Sequence, residues 1–236
     1  DLSNTTYDNL NGGVTVDPSA MKEMVVGGET TSEQKQDPVV YPINQIVTVT
    51  GGYWTLTSGA DITIKGQFVL PEDATLTIQA GATLTFAPGS VSKLDGKVVI
   101  EEGDMNATAS DKISGLIANG EAAVTGSVQS YGKISVGGEF SIAADAVVSV
   151  EDTGSILTDA GSKLTVKESG TLELRGAFGS SADSDKKFEV YNYGLVTIDS
   201  EVAASAASFV YQMASGAVVD VVNYTVSAAE GSSEFT

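Results

Sequence analysis

Asp104, Asn106, Thr108 and Asp111 place side-chain oxygens at alternating positions, as the first half of a calcium loop does. The rest of that loop is missing. Ala109 stands where a sharp-turn glycine belongs, and Gly115 stands where a bidentate glutamate would complete the shell. The same oxygens serve equally as a solvated acidic loop. Calcium is the one cofactor the chain invites, and no other is expected. Ser181, Asp183, Ser184 and Asp185 form a second, weaker oxygen cluster. Glu139, Asp145, Glu151, Asp152 and Asp159 are the acids from which a carboxylate pair for glycoside hydrolysis would be drawn. A strand pleat turns those positions to solvent in any case, so a charged surface explains them and no enzymatic activity is expected. Tyr53, Trp54, Tyr191 and Tyr193 could stack on sugars, which makes glycans possible partners, although strand aromatics usually pack in cores or on faces. Asn4, Asn106 and Asn223 each begin an Asn-X-Thr glycosylation sequon.

What the chain lacks narrows its chemistry further. It contains no histidine and no cysteine, which removes Ser-His and Cys-His triads, His- or Cys-ligated metals and disulfides together. Acids number 31 against 12 bases, for a net charge of -19. Such a chain has no cationic surface to release counterions from phosphates, so nucleic acid is excluded as a partner, and an anionic membrane is disfavoured. No apolar run reaches the roughly 18 to 20 residues of a spanning helix, so no membrane-spanning segment is expected. The sequence opens on Asp1 rather than Met, which points to a processed, secreted product located outside the cell or on its surface.

The elements that would carry these residues are repeats. Phe140, Val148, Ile156, Leu164 and Leu172 recur every eight residues, each followed two positions later by a second inward residue: Ile142, Val150, Thr158, Val166 and Leu174. The i, i+2 spacing is that of a strand, and Gly154, Gly161, Gly170 and Gly176 fall between the pairs, where the backbone must turn. Trp54 with Leu56, Ile62 with Ile64, Phe68 with Leu70, Leu76 with Ile78, Leu84 with Phe86 and Val98 with Ile100 extend the pattern toward the N-terminus. Two or three such units per turn make an all-β, parallel β-solenoid-like body over residues 46–176. A β-sandwich or jelly roll has similar strand spacing and is the alternative. Leu164 and Leu172 are expected in one buried column.

Residues 1–45 read as an extended N-terminal arm. Val14, Thr15 and Val16, and Val39, Val40 and Tyr41, are short strand candidates in need of a partner from elsewhere. Asp17 with Pro18 marks a helix start for residues 20–25, and residues 29–37 form a polar linker. Residues 101–123 break the rhythm and read as a loop or insertion. Residues 177–236, with a helix-compatible stretch over 203–213, read as a C-terminal β-rich cap.

The phrases GATLTF, AGSKLTV and SGTLEL resemble the strand-and-turn repeats of secreted β-solenoid cell-surface proteins such as adhesin passengers. The resemblance covers residues 46–176 and is one of pattern. It implies an exported, rigid, non-catalytic scaffold and carries no functional residue across. The expected function is a structural subunit of an extracellular microbial filament, tube or surface layer. Its partner is a copy of itself, joined by strand addition through the arm. An adhesin or carbohydrate-binding module is the second expectation, and a polysaccharide-cleaving β-helix enzyme the third.

Overall fold

A four-residue strand with an apolar i, i+2 pair buries that pair only if strands on both sides continue the same stripe. The computed structural model of the chain, which describes residues 22–32, 39–103, 115–180, 188–200, 209–213 and 218–224, meets this need with an all-β parallel solenoid of three faces. β1 (Lys22–Ser32) crosses the first and second faces and β2 (Val39–Tyr41) lies on the third. β3 (Gln45–Leu56) again spans two faces, and β4 (Asp61–Ile64) takes the third. Five three-strand turns follow. They are β5 (Gln67–Leu70), β6 (Ala74–Ile78) and β7 (Thr83–Phe86), then β8 (Val91–Leu94), β9 (Lys97–Ile100) and β10 (Gly115–Ala118). Next come β11 (Glu121–Val124), β12 (Ser127–Ser130) and β13 (Lys133–Val136), and then β14 (Glu139–Ile142), β15 (Val147–Val150) and β16 (Ser155–Thr158). The last full turn is β17 (Lys163–Val166), β18 (Thr171–Leu174) and β19 (Ala177–Ser180). β20 (Phe188–Asn192) with β21 (Leu195–Ser200), and β22 (Phe209–Met213) with β23 (Val218–Tyr224), carry on the first and second faces. Among the described residues seven turns reach the third face.

Every strand pairing among the described residues is parallel, which is incompatible with the sandwich or jelly-roll alternative. The recurring pairs all face inward. Phe140, Ile142, Leu164, Val166, Leu172 and Leu174 are fully buried, and so are Phe68, Leu70, Leu76, Ile78, Leu84 and Phe86. Glycines hold corners in two ways, where a side chain would have no room and where φ is positive. A Cβ on Gly176 would run into the carbonyl oxygens of Glu151 and Gly154, and Gly161 turns with φ +82.

Several local expectations give way to this coil. Three units, not two, make a turn, so vertical columns link residues about 24 apart: Phe140 pairs with Leu164 and Leu164 with Val190. Leu172 stands in the neighbouring column with Val148 and Val196, so Leu164 and Leu172 share a turn and not a column. The helix expected over 20–25 is strand from Lys22 onward, because eleven residues of parallel pairing with β3 outweigh one or two helical turns too short to stand alone. Glu29 to Ser32, read as linker, end that same strand. The helix-compatible stretch ends in strand β22, and the interruption assigned to 101–123 includes two ordinary rungs, β10 and β11. Alanine at one inward position of each hid those rungs: Ala118 and Ala122 are fully buried but weakly apolar.

Candidate functional site

Satisfied backbone lies along the sides of the stack and open backbone at its ends. β1 pairs with β3 from Lys22 opposite Gln45 to Ser32 opposite Leu56. β2 pairs with β4 through Val39–Ile62, Val40–Thr63 and Tyr41–Ile64. Among the described residues no strand lies on the outer edge of either, and the same holds for β19, β22 and β23 at the far end. Such rows of N–H and C=O groups are templates for a further strand. Val39, Val40 and Tyr41 are therefore not without a mate in their own chain. One edge is bonded to β4, Val40 is 46% exposed, and burial raises the Tyr41 hydroxyl pKa. Val14, Thr15 and Val16 lie outside the described residues.

The second concentration of polar side chains runs along the corner between the second and third faces. Arg175 donates from Nη1 to Glu151 Oε2 and from Nη2 to Glu173 Oε2, both at 2.8 Å. Gln129 Nε2 donates to Glu151 Oε1 at 3.0 Å and to the Tyr131 hydroxyl at 2.9 Å, and Ser149 Oγ donates to Glu173 Oε2 at 2.8 Å. The hydrogen bond to Glu151 is the main cause that raises the Arg175 pKa, ahead of the opposing effect of burial. This network ties β12, β15 and β18, three successive rungs, and engages Glu151, one of the five candidate acids. Glu139, Asp145, Asp152 and Asp159 are exposed. At the corner between the first and second faces, Asp95 accepts from Lys93 at 2.6 Å and from Thr125. Burial pushes the Asp95 pKa up, but the bonds from Lys93 and Thr125 and the charge of Lys93 together leave it lowered.

The weak calcium residues Asp104, Asn106, Thr108 and Asp111 lie outside the described residues, as do the second oxygen cluster and the sequon Asn4. Asn223 lies in β23. Among the described residues no group of three or more acids could hold a metal ion, and no helix is long and apolar enough to cross a membrane. Trp54 is buried against Phe68, with ring centroids 6.1 Å apart, so it is core and not a sugar platform. Tyr191 lies under Lys163 Nζ, 5.6 Å from the ring centroid. Tyr53 and Tyr193 are each 43% exposed and Tyr131 38%, on separate turns.

Two features were missed from the residues alone. Asn192 is fully buried at an inward position, its Nδ2 donating to the Val218 carbonyl at 3.0 Å and its Oδ1 accepting from Gly194 N–H at 2.9 Å, which ties the last two rungs together. Its signal was an Asn two residues after an apolar strand position and two before a glycine. Ser90 and Ser92 are buried hydroxyls with no hydrogen-bond partner among the described residues. No family model, curated protein or solved structure matches the chain.

Proposed function

We propose that this chain is a structural subunit of an extracellular, cell-surface assembly, a filament, tube or layer built from copies of itself by strand addition at its N-terminal strands. The observation that supports it is the outer edge of β1 and β2, unpaired among the described residues, on a stack whose other rungs are paired on both sides through most of its length. Strand addition here uses an edge that stays docked on its own body, and so differs from a detached arm swinging to a neighbour. A net charge of -19 suits a soluble exterior protein and keeps lateral contacts weak, which favours growth at the ends. Catalysis has no part in this reading. Glycan binding is the second reading. It is favoured by the solvent-facing rings of Tyr53, Tyr131 and Tyr193, but these belong to different turns and share no platform. Calcium would raise the melting temperature if it joined subunits.

Sedimentation velocity on a concentration series tests the proposal. Species that grow with concentration support it, and a monomer that persists across the series refutes it. Repeating the series with calcium and with chelator shows whether the ion contributes.

A further inference from the structure

The two ends of the solenoid finish on the same pair of faces. At one end β1 covers the first face with residues 22–27 and the second with 28–32, its register stepping between Gly27 and Gly28. At the other end those faces finish with β22 and β23. Both ends present, among the described residues, an unpaired outer edge. Because all rungs run in one direction, a strand that continues β1 with direction and corner unchanged must itself end a stack of this kind. The β22 and β23 end of a second copy meets that requirement.

We propose that copies join head to tail, with β22 and β23 of one against β1 of the next, so that two parallel sheets pass through the joint. This rests on the self-assembly reading above and specifies its interface. The columns fix the register. Thr31 pairs with Thr55, whose column passes through Thr77, Val99, Gln129, Ser149 and Glu173 to Thr197 and ends at Asp220. Continuity therefore sets Asp220 of one copy opposite Thr31 of the next. The same construction sets Val218 opposite Glu29 and, on the first face, Gln212 opposite Val25. The core columns of Val47 and Trp54 bring Tyr211 opposite Met24 and Val219 opposite Thr30. No carboxylate meets a carboxylate at these five positions, which matters for so acidic a chain because like charges directly opposite destabilise a ladder. The contact is heterologous and does not return on itself, so it propagates as a fibre. The rival joint is β1 against β1 of a second copy, an antiparallel contact that closes as a dimer.

The chain has no cysteine, so introduced thiols report alone. Adjacent rungs lie about 4.8 Å apart, within the Cα separation a disulfide spans. Thr31→Cys and Asp220→Cys would be made singly and together, with Glu29→Cys and Val218→Cys as a second pair, and each variant's strand signal checked by circular dichroism. Under mild oxidation the mixed single variants should give a covalent dimer containing one of each, and the double variant a ladder of multimers on a non-reducing gel. A disulfide dimer of Thr31→Cys alone would overturn the proposal in favour of the β1–β1 joint. Higher species in sedimentation with no bridge from either pair would overturn this interface while leaving self-assembly standing. A monomer with no bridge would overturn both.

Discussion

Two neighbouring stretches of the core are filled in opposite ways. The turns β5–β7 and β14–β16 bring Phe68, Phe86 and Phe140 inward, whereas β8–β10 and β11–β13 between them bring Ser92, Ala118, Ala122 and Ser130. The register explains the difference. Phe68 stacks on Ser92, Ser92 on Ala122 and Ala122 on Phe140, while Phe86 stacks on Ala118. Phe68 also meets Phe86 at 5.4 Å and Trp54 at 6.1 Å between ring centroids, so the large rings gather toward one end. A narrow coil cannot hold rings on every rung, and close packing is reached between turns, a large side chain over small ones. The small residues of the middle turns are the complement of the flanking rings.

The severest way to break this comparison is to charge a column. Leu172→Asp buries a carboxylate without a partner and should cost several kcal/mol, enough to abolish the cooperative melt, whereas Thr171→Asp one position away should cost little. Equal sensitivity at the two positions in thermal denaturation would show that the inward face is misassigned. Phe140→Ala tests complementarity itself. Since its neighbour Ala122 is already small, the gap cannot be filled, and a loss of about 3–5 kcal/mol in denaturant unfolding is expected. A loss below about 1 kcal/mol would mean that the middle turns collapse freely.

These positions also show how far the residues alone could be read. Wherever both inward positions were large and apolar, as at Leu164 and Val166, strand and face were legible, because burial of such pairs dominates local choice. Where one of the two was Ala118, Ala122 or Ser92, the same backbone left a weaker apolar signal, and β10 and β11 read as a loop. The number of units per turn was not legible, since a spacing of eight fits two or three strands per coil, and only hydrogen-bonded register distinguishes them. The N-terminal strands were visible as Val39–Tyr41, but their partner was not. Parallel mates lie roughly one turn away in sequence, where no hairpin signal marks them. The polar network of Arg175 was out of reach for a related reason: Glu151 lies 24 residues away, a neighbour only once the coil is known.

Ser92→Ala sharpens the comparison at smaller scale. Removing a buried hydroxyl that has no partner among the described residues should raise stability by about 1 kcal/mol, read as a higher melting temperature. A fall would mean that the hydroxyl is satisfied in solution. The smallest effect concerns the corner of the middle turns. The Asp95 pKa is lowered in the folded chain, so its contribution is present above the unfolded carboxylate value and lost as pH falls through the folded one, below about pH 4. Because Lys93 is 61% exposed, only a few tenths of a kcal/mol are expected, visible as a shallower acid limb in Asp95→Asn. An unchanged limb would leave the corner held by backbone bonds alone.

Electron microscopy of the purified full chain bears most directly on the central claim, that the coil continues from one copy to the next. Nine rungs lie on the first face from β1 to β22, which at about 4.8 Å each gives a rise of about 43 Å per subunit. The expected result is unbranched fibres with strands across the axis, a 4.8 Å ladder and an axial repeat near that rise. Isolated particles at concentrations where sedimentation is complete, or fibres whose strands run along the axis, would contradict it.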